Sequence, residues 1–222
     1  METLGKIFGS EVKVKLMRLF LFNPEHNFSP KDIIQRVKEN PSKVRRELGN
    51  LDKMGLLKRK LHTEKANNKQ IKKPIKKPNK KSKQSKQSKH KKIDRHTFTY
   101  SLDNQFAYLA ELQNFLVNVE PLHPKELIRR LGRLGTMKLV LTSGVFIQDP
   151  ESRVDILIVG DGVKKTSLEN TIKILESEVG KELKYAYFTT EDFKYRLSMY
   201  DKLTRDILDY PHKKVLNRLG VL

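Results

Sequence analysis

Ser42, Lys43, Arg45, Arg46 and Asn50 are the side chains whose types and spacing most clearly suit chemistry. They share one short stretch with Val44, Leu48 and Leu51, which recur at i, i+4 and i+7 as the inward face of a helix does. The polar residues then fall on the outward face. A helix with such a face can enter the major groove of a duplex, where base edges carry a readable pattern of donors and acceptors. Arg and Lys reach guanine or phosphate, Asn pairs with adenine, and the helix N-terminus offers backbone donors to a phosphate. Lys58 and Lys60 follow in the next segment. Lys72, Lys73, Lys76 and Lys77 come from two copies of Ile-Lys-Lys-Pro and suit phosphate contact without base selection. The plainer alternative is that Arg45 and Arg46 form a solvated helix face and the lysines a tolerated loop.

The neighbouring elements must hold that helix in place. Residues 10–22 predict a helix capped by Ser10, with Val12, Leu16, Leu19 and Phe20 on one face and Lys13, Lys15 and Arg18 mostly elsewhere. Residues 29–39 predict a second, with Ser29 as cap, Pro30 in the first turn and Asp32 three residues after the cap. Residues 40–54 predict the third, opened by Asn40 and Pro41 and closed at Gly55. In His96–Leu102, Phe98, Tyr100 and Leu102 alternate with Thr97, Thr99 and Ser101, the period of a half-buried strand. Leu57 and Leu61 suit the matching strand. The lysine tract between them then becomes a greatly enlarged hairpin loop.

A helix is expected over 105–119 from Phe106, Leu109, Leu112, Leu116 and Val119, as a connector or dimer seam. After Pro121 the pattern changes: helix 124–134, strand 137–147, strand 153–160, helix 167–179, strand 183–189 and helix 191–208. Strands alternating with helices suggest an α/β domain. The expected class is α+β, with domains at 1–104 and 121–222 joined by residues 105–120.

The 222 residues carry a formal net charge of +20. Residues 63–95 hold 14 Lys/Arg against 2 Asp/Glu, so most of the excess is local. Such a tract attracts polyanions, whether DNA, RNA or anionic lipid. It is expected to be disordered without a partner, because like charges repel and little apolar surface can be buried. No run of 18 apolar residues suggests a membrane span. The N-terminal Met-Glu-Thr-Leu-Gly-Lys lacks the apolar core of a signal peptide, so a cytoplasmic address is expected. The chain has no cysteine, which excludes disulfides, thiol catalysis and cysteine zinc sites. The six histidines show no metal spacing, and no Gly-rich phosphate loop occurs.

Two resemblances sharpen these expectations. The segment from Leu4 to Lys60 resembles ArsR-like winged-helix regulators, in Ile7-Phe8-Gly9-Ser10-Glu11-Val12-Lys13-Val14-Lys15-Leu16 and in Val44-Arg45-Arg46-Glu47-Leu48-Gly49-Asn50-Leu51-Asp52-Lys53-Met54-Gly55-Leu56-Leu57. The resemblance implies a winged helix-turn-helix with an enlarged wing, double-stranded DNA as partner, and a homodimer. Residues 137–160 resemble the minimal nucleotidyltransferase fold. That family sets a Gly-Ser pair after a first strand and two aspartates, one residue apart, on the next. Residues i and i+2 of a strand face the same side, so two such carboxylates can hold the Mg²⁺ ions that align a nucleotide triphosphate.

This chain departs from that pattern. Its pair is inverted, as Ser143-Gly144, and Arg153 and Leu157 flank Asp155 where a second aspartate belongs. Strand 183–189 lacks the third carboxylate. A lone carboxylate holds Mg²⁺ poorly, so no catalytic residue, metal ligand or resident cofactor is expected, and Mg²⁺ would enter only with an active site. Ser143, Gly144 and Asp155 remain candidates for a nucleotide ligand, with Asp161 and Arg196 as further polar groups. Three functions stay open: a DNA-binding regulator, an active nucleotidyltransferase modifying a protein or RNA, and a nucleoid or RNA-binding protein without site preference.

Overall fold

In the computed structural model, residues 2–64, 95–118 and 121–221 are described. Most of the lysine tract, including Lys72, Lys73, Lys76 and Lys77, lies outside the described residues, as does Val119. The fold is mixed α+β.

The first half runs α1 (Glu2–Phe8), α2 (Glu11–Phe22), α3 (Pro30–Val37), α4 (Pro41–Lys53), β1 (Leu57–Glu64) and β2 (Arg95–Leu102). Local chemistry sets the helix starts. The Ser10 and Asn40 side chains accept from the Lys13 and Ser42 amides. Ser29 and Asp32 bond reciprocally at the start of α3, a capping box. α1 was not expected from the sequence. β1 and β2 pair antiparallel in register from Leu57↔Leu102 to Glu64↔Arg95, so the strands extend past His62 and before His96. Phe28 exchanges both backbone bonds with Tyr100 at 2.9 Å, which ties the α2–α3 turn to the hairpin. Leu16, Phe20, Ile33, Val44, Leu48, Leu51 and Leu56 form the buried centre.

The helix expected over 105–119 is shorter, α5 (Leu109–Leu116), because residues 103–108 form turns. Its Leu116 is buried in the first core, and Leu109 and Leu112 pack against it.

The second half runs α6 (Pro124–Leu131), β3 (Thr136–Thr142), β4 (Ile156–Asp161), α7 (Lys165–Val179), β5 (Tyr185–Phe188), α8 (Thr190–Ser198), α9 (Lys202–Asp209) and β6 (Lys213–Asn217). The sheet order is β5-β4-β3-β6. β4 and β5 are parallel; the other pairs are antiparallel. Alternate residues feed two cores. Val140, Ile156 and Ile158 pack with Leu127, Leu131, Ile172 and Leu175, whereas Leu139, Leu141, Leu157 and Val159 pack with Phe193 and Ile207. A central strand buried on both faces reads as a continuous apolar run, as β4 does.

Three expectations are corrected here. Strand 137–147 ends at Thr142, because Gly144 turns at φ +54 into a short 3₁₀ segment. Helix 191–208 is two helices, broken at Tyr200 with φ +54. β6 was not anticipated. A fourth correction concerns α2, whose Lys15 and Arg18 are buried rather than turned to solvent. Lys15 pairs with Glu39 at 2.6 Å. Arg18 donates to the carbonyls of Leu116, Pro121 and Glu178 at 3.2, 3.1 and 3.0 Å, which joins the two halves. Nearby, Glu178 accepts from Arg130, and hydrogen bonds from Arg129 and then Arg130 hold the Glu126 carboxyl pKa down to about 2.

Candidate nucleic-acid interface

α4 separates its two faces cleanly. Val44, Glu47, Leu48 and Leu51 are buried, while Ser42, Lys43, Arg45, Arg46 and Asn50 are all exposed. Five of the expected side chains are therefore brought together on one helix face. No acidic residue lies in the first turn, so nothing there opposes an arriving phosphate. Lys43 and Arg45 make no ion pair among the described residues.

Glu47 is the residue that periodicity did not single out. It sits under the cationic face, almost fully buried, with Arg46 Nη2 at 3.2 Å from one oxygen and Asn50 Nδ2 at 3.1 Å from the other. Lys13 of α2 approaches the second oxygen at 3.9 Å. The buried carboxylate is compensated, as burial of a charge requires, and it fixes where Arg46 and Asn50 point. A glutamate at i−1 from Leu48 inside a basic run was the only available signal.

The hairpin divides the other expected lysines. Lys58 is bonded to Asp103 at 2.7 Å, and that contact holds the Asp103 carboxyl below the usual carboxylate range, helped by the Gln105 amide. Lys58 thus anchors the hairpin root. Lys60 is exposed. Arg59, not among the expected contacts, stands over the Phe98 ring at 4.8 Å and 4.0 Å from Asp52. Its guanidinium is half exposed and borders α4 through Asp52. The hint was Arg59 alternating with Leu57 and Leu61 on one side of the strand.

In the second half Ser143, Gly144 and Asp155 do come together, but their polar atoms face one another. Asp155 is buried, and its two oxygens accept from the Val145 and Lys184 amides, each at 2.8 Å. The Ser143 hydroxyl donates to the Val154 carbonyl. A Cβ on Gly144 would collide with the Asp155 carboxylate, so the glycine is needed for this close approach. The arrangement clamps β3, β4 and the approach to β5. Arg153 pairs with Asp206 at 3.3 Å. Asp161 caps α8 through the Thr190 amide and hydroxyl, bonds that lower its pKa. Arg196 is held by Asp192 and Asp201. Among the described residues no three His, Asp or Glu side chains converge on a metal-sized site.

Asp155→Asn should therefore cost about 1–3 kcal/mol, because its amide nitrogen must face one of the two N–H donors. Chemical denaturation reads this directly. Unchanged stability would show that the carboxylate is not a clamp.

A groove of about 610 Å³ lies between α3 and α7. Its acids are occupied: Asp32 by Ser29, Glu176 by the Leu183 amide, Glu182 by Arg36. Lys38, Lys173 and Lys181 border it without an ion pair among the described residues.

No protein-family model, curated protein or solved structure matches the chain. No helix among the described residues is long and apolar enough to cross a membrane.

Proposed function

We propose that the chain is a DNA-binding transcriptional regulator. In this reading α2–α4 and the β1–β2 hairpin are a winged helix-turn-helix of the ArsR-like kind. α4 reads the major groove, and the hairpin is the wing, carrying the lysine tract onto flanking phosphates. α5 is the connector. The second half is a nucleotidyltransferase-like domain without catalysis, which senses an anionic ligand such as a nucleotide or contributes to a homodimer. A cytoplasmic address accompanies that role.

The observation that carries the proposal is the outward row Ser42, Lys43, Arg45, Arg46 and Asn50 on a helix whose opposite face is locked into the core. Such a row can read base edges while the fold stays rigid behind it. Two lesser observations support the rest. The oxygens of Asp155 are both engaged by backbone amides, which speaks against a metal-holding role. The lysine-bordered groove between α3 and α7 falls in the size range of small-molecule sites. Exposed Ile7, Tyr108 and Phe115 on α1 and around α5 favour a second copy there.

The test is selection from a random duplex library with the full chain, followed by competition against bulk DNA at two salt concentrations. A regulator enriches one sequence class, which outcompetes bulk DNA by roughly 10³-fold or more. Its affinity falls with salt at a slope of roughly 0.9 per phosphate neutralised. Equal competition by bulk DNA would mark a binder without site preference. Indifference to duplex DNA at moderate ionic strength would overturn the proposal.

A further inference from the structure

Glu47 brings a negative charge to a helix face that otherwise suits phosphates. It is 4% exposed and lies on α4 beneath the outward row of Ser42, Lys43, Arg45, Arg46 and Asn50. Taking a charge out of water is costly, and an apolar side chain of similar volume often fills such a place with no loss of stability. What Glu47 does that an apolar residue cannot is accept hydrogen bonds, and both of its oxygens do so.

An ionised carboxylate accepts and never donates. The Asn50 amide must therefore turn its nitrogen towards Oε2, at 3.1 Å, so its orientation is settled before any ligand arrives. One amide N–H and the amide oxygen remain, the pair that adenine N7 and its N6 amino group require. Oε1 takes one N–H of Arg46, at 3.2 Å, and leaves the rest of the guanidinium fork for guanine O6 and N7. Lys13 of α2 stands 3.9 Å from Oε2, which ties the carboxylate to a second helix. Residues four apart on a helix share a face and are separated by about 6 Å along its axis. Base steps follow at about 3.4 Å, so Arg46 and Asn50 together span about two of them.

We infer that the duplex selected by α4 carries a guanine and an adenine within about two base steps of each other, and that Glu47 is the positioning residue that imposes both preferences. The inference rests on the duplex-reading role proposed above and names what that role reads. It also fixes a sign. A carboxylate beneath the contact surface repels every phosphate, so its removal strengthens attraction to any duplex. Its bonds to Arg46 and Asn50 serve only base reading. Selectivity and affinity for bulk DNA must then move in opposite directions when the charge is lost.

The test selects sites from a random duplex library with the full chain, then measures binding to single-base variants of the selected site. Exchanging the guanine or the adenine should weaken binding by the wild-type chain roughly ten-fold or more. Glu47→Gln keeps the shape but turns an amide donor towards Arg46 or Asn50. Both preferences should then shrink by roughly ten-fold, while affinity for bulk DNA rises. On an Arg46→Ala background, Glu47→Gln should take nothing further from the guanine preference. In the free wild-type chain, nitrogen NMR should show the Arg46 guanidinium rotating more slowly than that of Arg45, which makes no ion pair among the described residues. That readout does not depend on the folding of any variant. A selected site without the guanine and adenine would overturn the inference. So would survival of both preferences in Glu47→Gln, equal weakening on selected and bulk DNA at an unchanged thermal midpoint, or equal rotation of the two guanidinium groups. Each of these leaves duplex reading by α4 standing. A wild-type chain that selects no sequence overturns that role and the inference with it.

Discussion

Arg45→Ala combined with Arg46→Ala should abolish selective duplex binding while leaving the thermal midpoint in place. Both side chains are exposed, and the packing of α4 belongs to Val44, Leu48 and Leu51 on its other face. Surface changes away from core contacts usually alter stability little. Removing Arg46 does not orphan the buried Glu47, because Asn50 and Lys13 still face it. Each good base contact is worth about 1–3 kcal/mol, so the pair should cost about 2–6 kcal/mol, roughly 30-fold to 10⁴-fold in affinity. The companion variant, Arg45→Lys with Arg46→Lys, keeps the charge but not the two-pronged geometry. It should retain binding to bulk DNA and lose preference for the selected site. Competition binding with both variants separates phosphate attraction from base reading. If the alanine pair keeps its selectivity, α4 is not the reading element.

The first half was legible in the sequence because its signals are local. Ser10, Ser29 and Asn40 announce helix starts through side chains that reach their own first turns, and Pro30 and Pro41 fit positions where no amide is needed. Phe98, Tyr100 and Leu102 announce a strand by alternation alone. What escaped depended on distant partners. Glu47 lies within a run that looks solvated, and its burial is explained by Arg46 beside it, Asn50 one turn on and Lys13 from another helix. β6 is a short strand with two lysines at its start, and nothing within Lys213–Asn217 foretells its pairing with β3.

The break at Tyr200 escaped for a different reason. Helix ends are read from glycine, and here a tyrosine holds the left-handed position. The second candidate site was legible as a group and not as a geometry. The spacing of Ser143, Gly144 and Asp155 told that they meet beside the sheet, but not that the carboxylate would be consumed by the Val145 and Lys184 amides. Which of two uses a buried carboxylate serves depends on where backbone from β5 arrives, and a strand's own residues do not encode that.

Arg18→Ala should be the most damaging single change to stability, at about 3–5 kcal/mol. Periodicity set Arg18 off the apolar face of α2, yet it is 2% exposed. Burial pushes its pKa below the ordinary guanidinium range, while Glu178 acts in the opposite direction. Two of its carbonyl partners among the described residues, Leu116 and Glu178, end α5 and α7, where the helix dipole favours a cation. Truncation leaves those acceptors buried without a donor, at about 1–3 kcal/mol each less whatever water can enter, and adds a cavity. Arg18→Met restores much of the volume and none of the donors, so it should recover only the cavity part. The backbone beside this lock is equally tight. Gly180 at φ +90 would bring a Cβ to 2.6 Å from the Arg18 carbonyl carbon, and Asn23 donates to Gly180 O at 2.9 Å. Each half keeps its own core. Breaking the lock should therefore change the shape of unfolding as well as its midpoint, splitting one denaturation transition into two. A loss under about 1 kcal/mol with a single transition would mean that the desolvation of the guanidinium cancels its bonds, and that the halves are held together by the apolar contacts around it.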